Sequence, residues 1–190
     1  MIVEQLVAAL RDPANRERPS TFPKDPLVAA QPGLYCWYCD ADGGATLGAL
    51  LGHAVGPLIY AGLAGEVKSV DRTAKATLLS RIRGMHLSGP LEFSTFRTTL
   101  AALLRTPLEL SLRKRGYLDA PSDARLTSWM HAHLQIATVA YPDRATLAVA
   151  EHDVLLALDP PLNLRGMSAT ATRARLKILR SELAHAAPAL

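Results

Sequence analysis

Two phenols, a guanidinium, a carboxylate and an amide stand in order along the chain: Tyr35 in Gly33-Leu34-Tyr35, Tyr60 in Tyr60-Ala61-Gly62, then Arg81, Glu151 and Asn163. An arginine offers a permanent planar charge suited to phosphoryl oxygens. A carboxylate can hold a hard cation such as Mg²⁺. A tyrosine with a pKa near 10 is only about one part in a thousand ionised at pH 7, so either phenol takes a proton from water only if a neighbour lowers that value. His86, shortly after Arg81, has a reference pKa near 6.5 that suits a base better. Taken singly none of these residues is diagnostic: strand tyrosines are mostly core aromatics, a helical glutamate is mostly solvated, and an asparagine behind Pro160-Pro161 is mostly a turn residue. The chain has no P-loop, G-x-G-x-x-G, G-x-S-x-G or H-E-x-x-H, so nucleotide-binding, hydrolase-elbow and zincin chemistry lack support.

The elements that must position these groups follow from local patterning. Gly33–Cys39 has the β-propensity of a strand, and LIYAGLAG after Gly56-Pro57 reads as a second. Leu134–Tyr141 is the third, and a helix beginning at Asp143 runs to about Leu158 before Asp159-Pro160-Pro161 stops it. A helix over about 71–85, capped by Asp71, carries Arg81; another covers Ser94–Leu104. Residues 2–11 form an N-terminal helix, and four prolines between 19 and 32 make the following stretch an extended linker. The Gly- and Ala-rich 40–57 reads as a long connection, and 113–125 as a polar loop ending in a Ser122 or Asp123 cap. A last helix, about 169–186, places Leu176, Leu179 and Leu183 on one face, with Arg173, Arg175, Lys177 and Arg180 off it. No internal repeat or low-complexity tract interrupts the pattern.

At 190 residues, 49% hydrophobic and 20% charged, the chain suits one folded core and is far from the composition of disordered proteins. No stretch is apolar enough to span a membrane, and the acidic start with Glu4 lacks the basic region of a signal peptide, so a cytoplasmic protein is expected. The formal charge of +4 is concentrated: Lys68 to Arg115 holds ten basic residues against three acidic ones, and Arg165 onward five against one. Such segments fit either a polyanion partner or a solvated face. Cys36 and Cys39, the only cysteines, form C-x-x-C, but no second ligand pair lies at zinc spacing and the pair falls in a strand; two buried apolar side chains are expected. His53, His131, His133 and His185 have no partners at metal-ligand spacing, and His152 points away from Glu151 by about 100°.

The ordered set resembles the GIY-YIG nuclease superfamily over about 33–163. Glu151 on a helix and Asn163 twelve residues later, behind the LDPPLN turn, are its most specific part. Leu34 and Ala61 replace isoleucines of the pattern, and the 24 residues between Tyr35 and Tyr60 exceed the common spacing. Leu78 three residues ahead favours Arg81 as the family's arginine over Arg83. One ordinary helical turn after Arg81 comes Met85, so His86 must reach in from the helix end, or else Arg83 is the arginine.

The resemblance implies an α+β fold: a small three-stranded, mainly antiparallel sheet (about 33–39, 57–62 and 135–141) flanked by helices on both faces. It divides the chain into an N-terminal helix and linker (1–32), a nuclease domain (33–165) with an insertion around 92–130, and a C-terminal helix (166–190) packed on that domain. It implies a metal-dependent endonuclease hydrolysing phosphodiester bonds in DNA, with a non-catalytic nucleic-acid-binding module or an RNA-cleaving nuclease as alternatives. Tyr35, Tyr60, Arg81, His86, Glu151 and Asn163 become the catalytic set. Glu151 is the ligand of Mg²⁺ or Mn²⁺, and both phenols stand at the attacking water. Arg83, Arg97, Arg113, Lys114 and Arg115 are the expected nucleic-acid contacts, with a monomer or homodimer as the assembly.

Overall fold

Strand β2, Gly33–Cys39, is buried over its whole length, so it must lie inside a sheet covered on both faces. The computed structural model of the chain describes residues 2–65, 76–114 and 117–186. The described elements are α1 (Val3–Arg11), β1 (Arg16–Glu17), α2 (Pro26–Ala29), β2, α3 (Ala41–Leu51), β3 (Leu58–Ala64), α4 (Leu78–Arg81), α5 (Thr95–Leu104), β4 (Leu112–Lys114), β5 (Tyr117–Leu118), α6 (Ala120–His133), β6 (Leu134–Ala140), α7 (Leu147–Leu158) and α8 (Ala171–His185). The main sheet has the order β1-β6-β2-β3 and is antiparallel throughout; β4 and β5 form a separate hairpin. The fold is α+β, with the three expected strands and the short β1 added at one edge.

Period-two alternation along β2 divides its side chains between two apolar layers. Leu34, Cys36 and Tyr38 pack with Leu6 and Leu10 of α1 and with Leu147, Val154 and Leu158 of α7. Tyr35, Trp37 and Cys39 face the larger layer, built from α3, α4, α5, α6 and α8. Between Trp37 and Tyr38 the β2–β3 register slips by one residue, a bulge that leaves Ile59 unmatched and sends both Ile59 and Tyr60 into the larger layer. The outer edge of β3 is closed by the turn after α7: Leu162 N–H donates to Ile59 O at 3.0 Å, and the Asn163 amide both accepts from Ala61 N–H at 3.0 Å and donates to Ala61 O at 2.9 Å. That amide completes the ladder that an edge strand otherwise leaves open.

Several segments differ from the sequence expectation. Residues 41–51 are helical although they contain Gly43, Gly44 and Gly48, poor helix formers. Asp40 caps the helix through Gly43 N–H at 2.8 Å, and a Cβ at Gly43 would run into the Cys39 sulfur, so close packing outweighs propensity. The 13–32 linker contains β1 and the single turn α2, capped by Asp25. Helix α6 begins at Ala120 under Asp119, which accepts from Ser122 N–H at 2.7 Å; Ser122 and Asp123 lie inside the helix. Arg173, expected off the apolar face of α8, is buried. Its guanidinium pairs with Asp159 at 2.6 Å and donates to the carbonyls of Pro160, Asn163 and Ser168. It thus fixes the turn that carries Asn163. The proposed Asp71 cap and the charges Lys68, Arg72, Lys75 and Arg115 lie outside the described residues.

Candidate active site

Tyr35 and Gly62 are directly paired across β2 and β3. The phenol lies over the glycine: a Cβ at position 62 would sit 2.6 Å from the Tyr35 hydroxyl and 2.9 Å from Cζ. Only a residue without a side chain lets Tyr35 occupy that place. Gly33 serves the same layer at the start of the strand, because a Cβ there would collide with Val139 O of β6 and meet Leu78 Cδ1 at 3.1 Å. The glycines of Gly33-Leu34-Tyr35 and Tyr60-Ala61-Gly62 therefore make room, one for the neighbouring strand and one for the phenol.

Arg81 and His86 reach that phenol from one helical segment. Thr77 caps α4, accepting from Ser80 N–H at 3.2 Å. The chain then continues without a break into a π-helical turn over Ile82–Leu87. A π turn closes after about five residues where an α turn closes after about four. The five-residue step from Arg81 to His86 is thus one turn here, and both side chains face Tyr35. Arg81 Nε–H donates to Tyr35 Oη at 3.4 Å, and His86 Nε2 lies 2.7 Å from the same oxygen. Arg81 also donates to Met85 Sδ at 3.0 Å and Phe93 O at 3.2 Å. Arg83 is exposed, and of the two arginines it is Arg81 that reaches Tyr35.

His86 is fully buried and caged by the rings of Tyr35, Trp37, Tyr60 and Phe96. Its Nδ1 lies 2.7 Å from Ser94 Oγ, which also accepts from Arg97 N–H and so caps α5. Burial first, then the nearby Arg81 and Arg97 charges, holds the imidazole well below its usual pKa, so it is neutral. His86 is thus shielded from solvent, and its Nε2 faces Tyr35 Oη. Burial likewise pushes Tyr35 up to about 12 despite Arg81, and raises Tyr60 further.

Arg97 was expected at the nucleic acid and is instead completely buried. It pairs with Asp123 at 2.7 Å and donates to Thr127 Oγ1 at 2.7 Å and to the carbonyls of His86 and Leu87 at 3.1 Å. Its role is to hold the π turn that carries His86. Sequence reading missed Ser94 and Arg97 as supports of His86. Ser94 was recognisable only as a cap, and nothing local marks an arginine as buried. Arg113 is exposed on the β4–β5 hairpin, as a surface contact requires. Of its neighbours, Arg115 and the side chain of Lys114 lie outside what is described.

Glu151, partly buried on α7, acts electrostatically on Tyr35, Tyr60 and Arg81. Tyr60 is 7% exposed, and its hydroxyl makes no hydrogen bond among the described residues. Asn163 spends its amide on Ala61, so it supports β3 at the edge of the site. Cys36 and Cys39 are free and buried, each pushed up to about 12 by burial.

A family model of the GIY-YIG catalytic domain matches residues 33–182. The chain belongs to the GIY-YIG family. No curated protein and no solved structure matches it significantly. In this GIY-YIG domain the two halves of the family's name lie on the paired strands β2 and β3, and Arg81, His86 and Glu151 come to them from α4, the π turn and α7. The match continues through most of α8, making the C-terminal helix part of the catalytic domain. Nuclease chemistry on a nucleic acid is what this family membership entails. Among the described residues no helix is long and apolar enough to cross a membrane.

Among the described residues no group of three or more His, Cys, Asp or Glu is placed to bind an ion, and Glu151 is the carboxylate that acts on Tyr35, Tyr60 and Arg81, so a metal here would have that single carboxylate to hold it. That donor set fits Mg²⁺, which keeps several waters and takes one or two carboxylates together with substrate phosphates. A cavity of about 700 Å³ between α3 and residues 53–57 contains none of the site residues.

Proposed function

We propose that this protein is an endonuclease that hydrolyses phosphodiester bonds in DNA with Mg²⁺ or Mn²⁺ held by Glu151. The observation that carries the reading is the convergence of Arg81 Nε and His86 Nε2 on one oxygen, Tyr35 Oη. A phenol held near 12 is a poor base alone. Paired with a neutral imidazole it becomes a relay: a water proton passes to Tyr35 Oη as the phenol's own proton passes to His86 Nε2. This assigns the His86 proton to Nδ1, donated to Ser94 Oγ, as the chemistry of the relay requires. Positioned proton transfer of this kind contributes about 10²–10⁴ in rate.

Arg81 has two tasks. It steadies the charge that develops on Tyr35 Oη, and it faces the site with a planar cation suited to non-bridging phosphoryl oxygens. Burial weakens its charge, but the two phenols and Glu151 more than offset this. The metal, when bound, supplies Lewis-acid stabilisation at the departing alkoxide. Tyr35 and Glu151 then flank the phosphorus, with water on the phenol side. The bond from water oxygen to phosphorus forms, the bond from phosphorus to the leaving oxygen breaks, and that oxygen takes its proton from solvent.

Plasmid nicking with Mg²⁺, Mn²⁺ or EDTA tests this reading. Wild type should nick supercoiled DNA only with metal, and Tyr35→Phe and Glu151→Ala should each lose at least about 10² in single-turnover rate while melting as cooperatively as wild type. Binding without cleavage in every metal would make the domain a non-catalytic binding module. Cleavage of an RNA transcript but not of DNA would move the substrate class.

A further inference from the structure

Arg97 and Arg173 each have a carboxylate and several carbonyls, and Arg81 has Tyr35, Met85 and Phe93. Among the described residues two partly buried arginines, Arg105 and Arg180, have neither a side-chain hydrogen bond nor a carboxylate within ion-pair distance, and of the two it is Arg180, on α8, whose charge acts on a residue of the site, Tyr60. A guanidinium with solvent access and no partner in the protein keeps its fork of donors open to an anion from solution. The Arg180 charge is felt by Tyr60, a residue 7% exposed whose hydroxyl is also without a hydrogen bond among the described residues. Burial lowers the Arg180 pKa, with Tyr60 acting in opposition.

Arg180 also lines a cavity of about 310 Å³ with Leu91, Glu92, Leu112 and Leu183. The cavity joins α8 to the start of the β4–β5 hairpin at Leu112, and the next residue, Arg113, is exposed. The one acidic group facing it, Glu92, already accepts from Tyr117 Oη at 2.6 Å. Arg180 thus acts electrostatically on Tyr60 and also lines a cavity whose Leu112 is followed by the exposed Arg113.

We propose that Arg180, with the Tyr60 hydroxyl, binds a backbone phosphate next to the scissile one, and that the substrate strand leaves the catalytic centre across α8 toward the β4–β5 hairpin. This rests on the nuclease reading and extends it to a residue outside the name motifs, Arg81 and Glu151. The ligand is a phosphodiester of the polynucleotide, and the contact is independent of base identity.

The test is binding of a fluorescein-labelled duplex in EDTA across a salt series, so that no step depends on metal or turnover. Arg180→Gln keeps the aliphatic stem and removes the charge; Arg180→Lys keeps the charge. The slope of log affinity against log salt should fall in magnitude by about 0.9 in Arg180→Gln and stay within error of wild type in Arg180→Lys. In the wild-type protein, phenylglyoxal should modify Arg180, and bound duplex should protect it, as read by peptide mass spectrometry. This second arm does not depend on a variant folding. An unchanged slope in a folded Arg180→Gln, labelling unaffected by duplex, or no labelling in the free protein overturns the proposal. If wild type cleaves DNA while any of these holds, the nuclease reading stands and only the Arg180 path fails; if wild type neither binds nor cleaves DNA or RNA, it is the nuclease reading that fails.

Discussion

Gly62→Ala puts the least possible matter into the most constrained place in the site. The new Cβ would lie 2.6 Å from Tyr35 Oη and 2.9 Å from Cζ. Regaining an ordinary contact of about 3.4 Å requires the hydroxyl to retreat by about 0.8 Å. The side chain has no slack for this: Tyr35 is 1% exposed, and its oxygen is held by His86 at 2.7 Å. Either β2 and β3 separate locally or the Tyr35–His86 contact is lost. Overpacking of this kind costs about 1–3 kcal/mol. For a chain of this size that lowers Tm by about 2–12 °C, at about 2–4 °C per kcal/mol. Misplacement of a catalytic group by about 1 Å costs on the order of 10² in rate. The assay pairs thermal melts with single-turnover plasmid cleavage for Gly62→Ala, Tyr35→Phe and the double variant. Because Tyr35→Phe removes the atom nearest the new methyl, adding Gly62→Ala to it should cost less stability than adding it to wild type. Wild-type stability and rate in Gly62→Ala, or strictly additive costs in the double variant, would refute the account of why glycine stands there.

Three further outcomes are expected. Arg81→Ala should lose about 10²–10³ in single-turnover rate while Arg83→Ala stays within a few-fold of wild type; the reverse ranking would move the role to Arg83. Arg97→Met should destabilise by about 3 kcal/mol in denaturant titration, because the carbonyls of His86 and Leu87 lose their donor, and it should leave the salt dependence of DNA binding unchanged. Because the folded-state pKa of His86 is depressed, the unfolded chain binds a proton below about pH 6.5 that the native state does not. Stability is therefore lost as pH falls from about 6.5 toward the folded value, at up to about 1.4 kcal/mol per pH unit from this group. His86→Gln should remove that part of the slope in urea titrations at pH 5 to 7, and an identical slope would show that His86 does not titrate as described.

The sequence by itself determined the strands, because β-propensity and turn residues are local: Gly33–Cys39, the run after Pro57 and the run from Leu134 all lie within two residues of the observed boundaries. The order of Tyr35, Tyr60, Arg81 and Glu151 also pointed to the family from residue types and spacing alone. Local pattern was a poor guide where distant atoms decided. The glycines of α3 argue for a loop until Cys39 and His53 are seen close against them. A step of five residues from Arg81 to His86 argues against a shared face until the helix widens to a π turn, whose His86 and Leu87 carbonyls are held by Arg97. Arg97 and Arg173 look like solvated charges because an arginine's burial depends on its anion, and Asp123 and Asp159 reach them only in the folded chain. Asn163 was found by its spacing from Glu151, but its contact with both polar groups of Ala61 depends on the turn after α7 returning to the edge of β3. Chain-local energies select strands and helices within a few residues of one another; the protonation of His86 and the placing of Tyr35 are set by groups brought together across the whole domain.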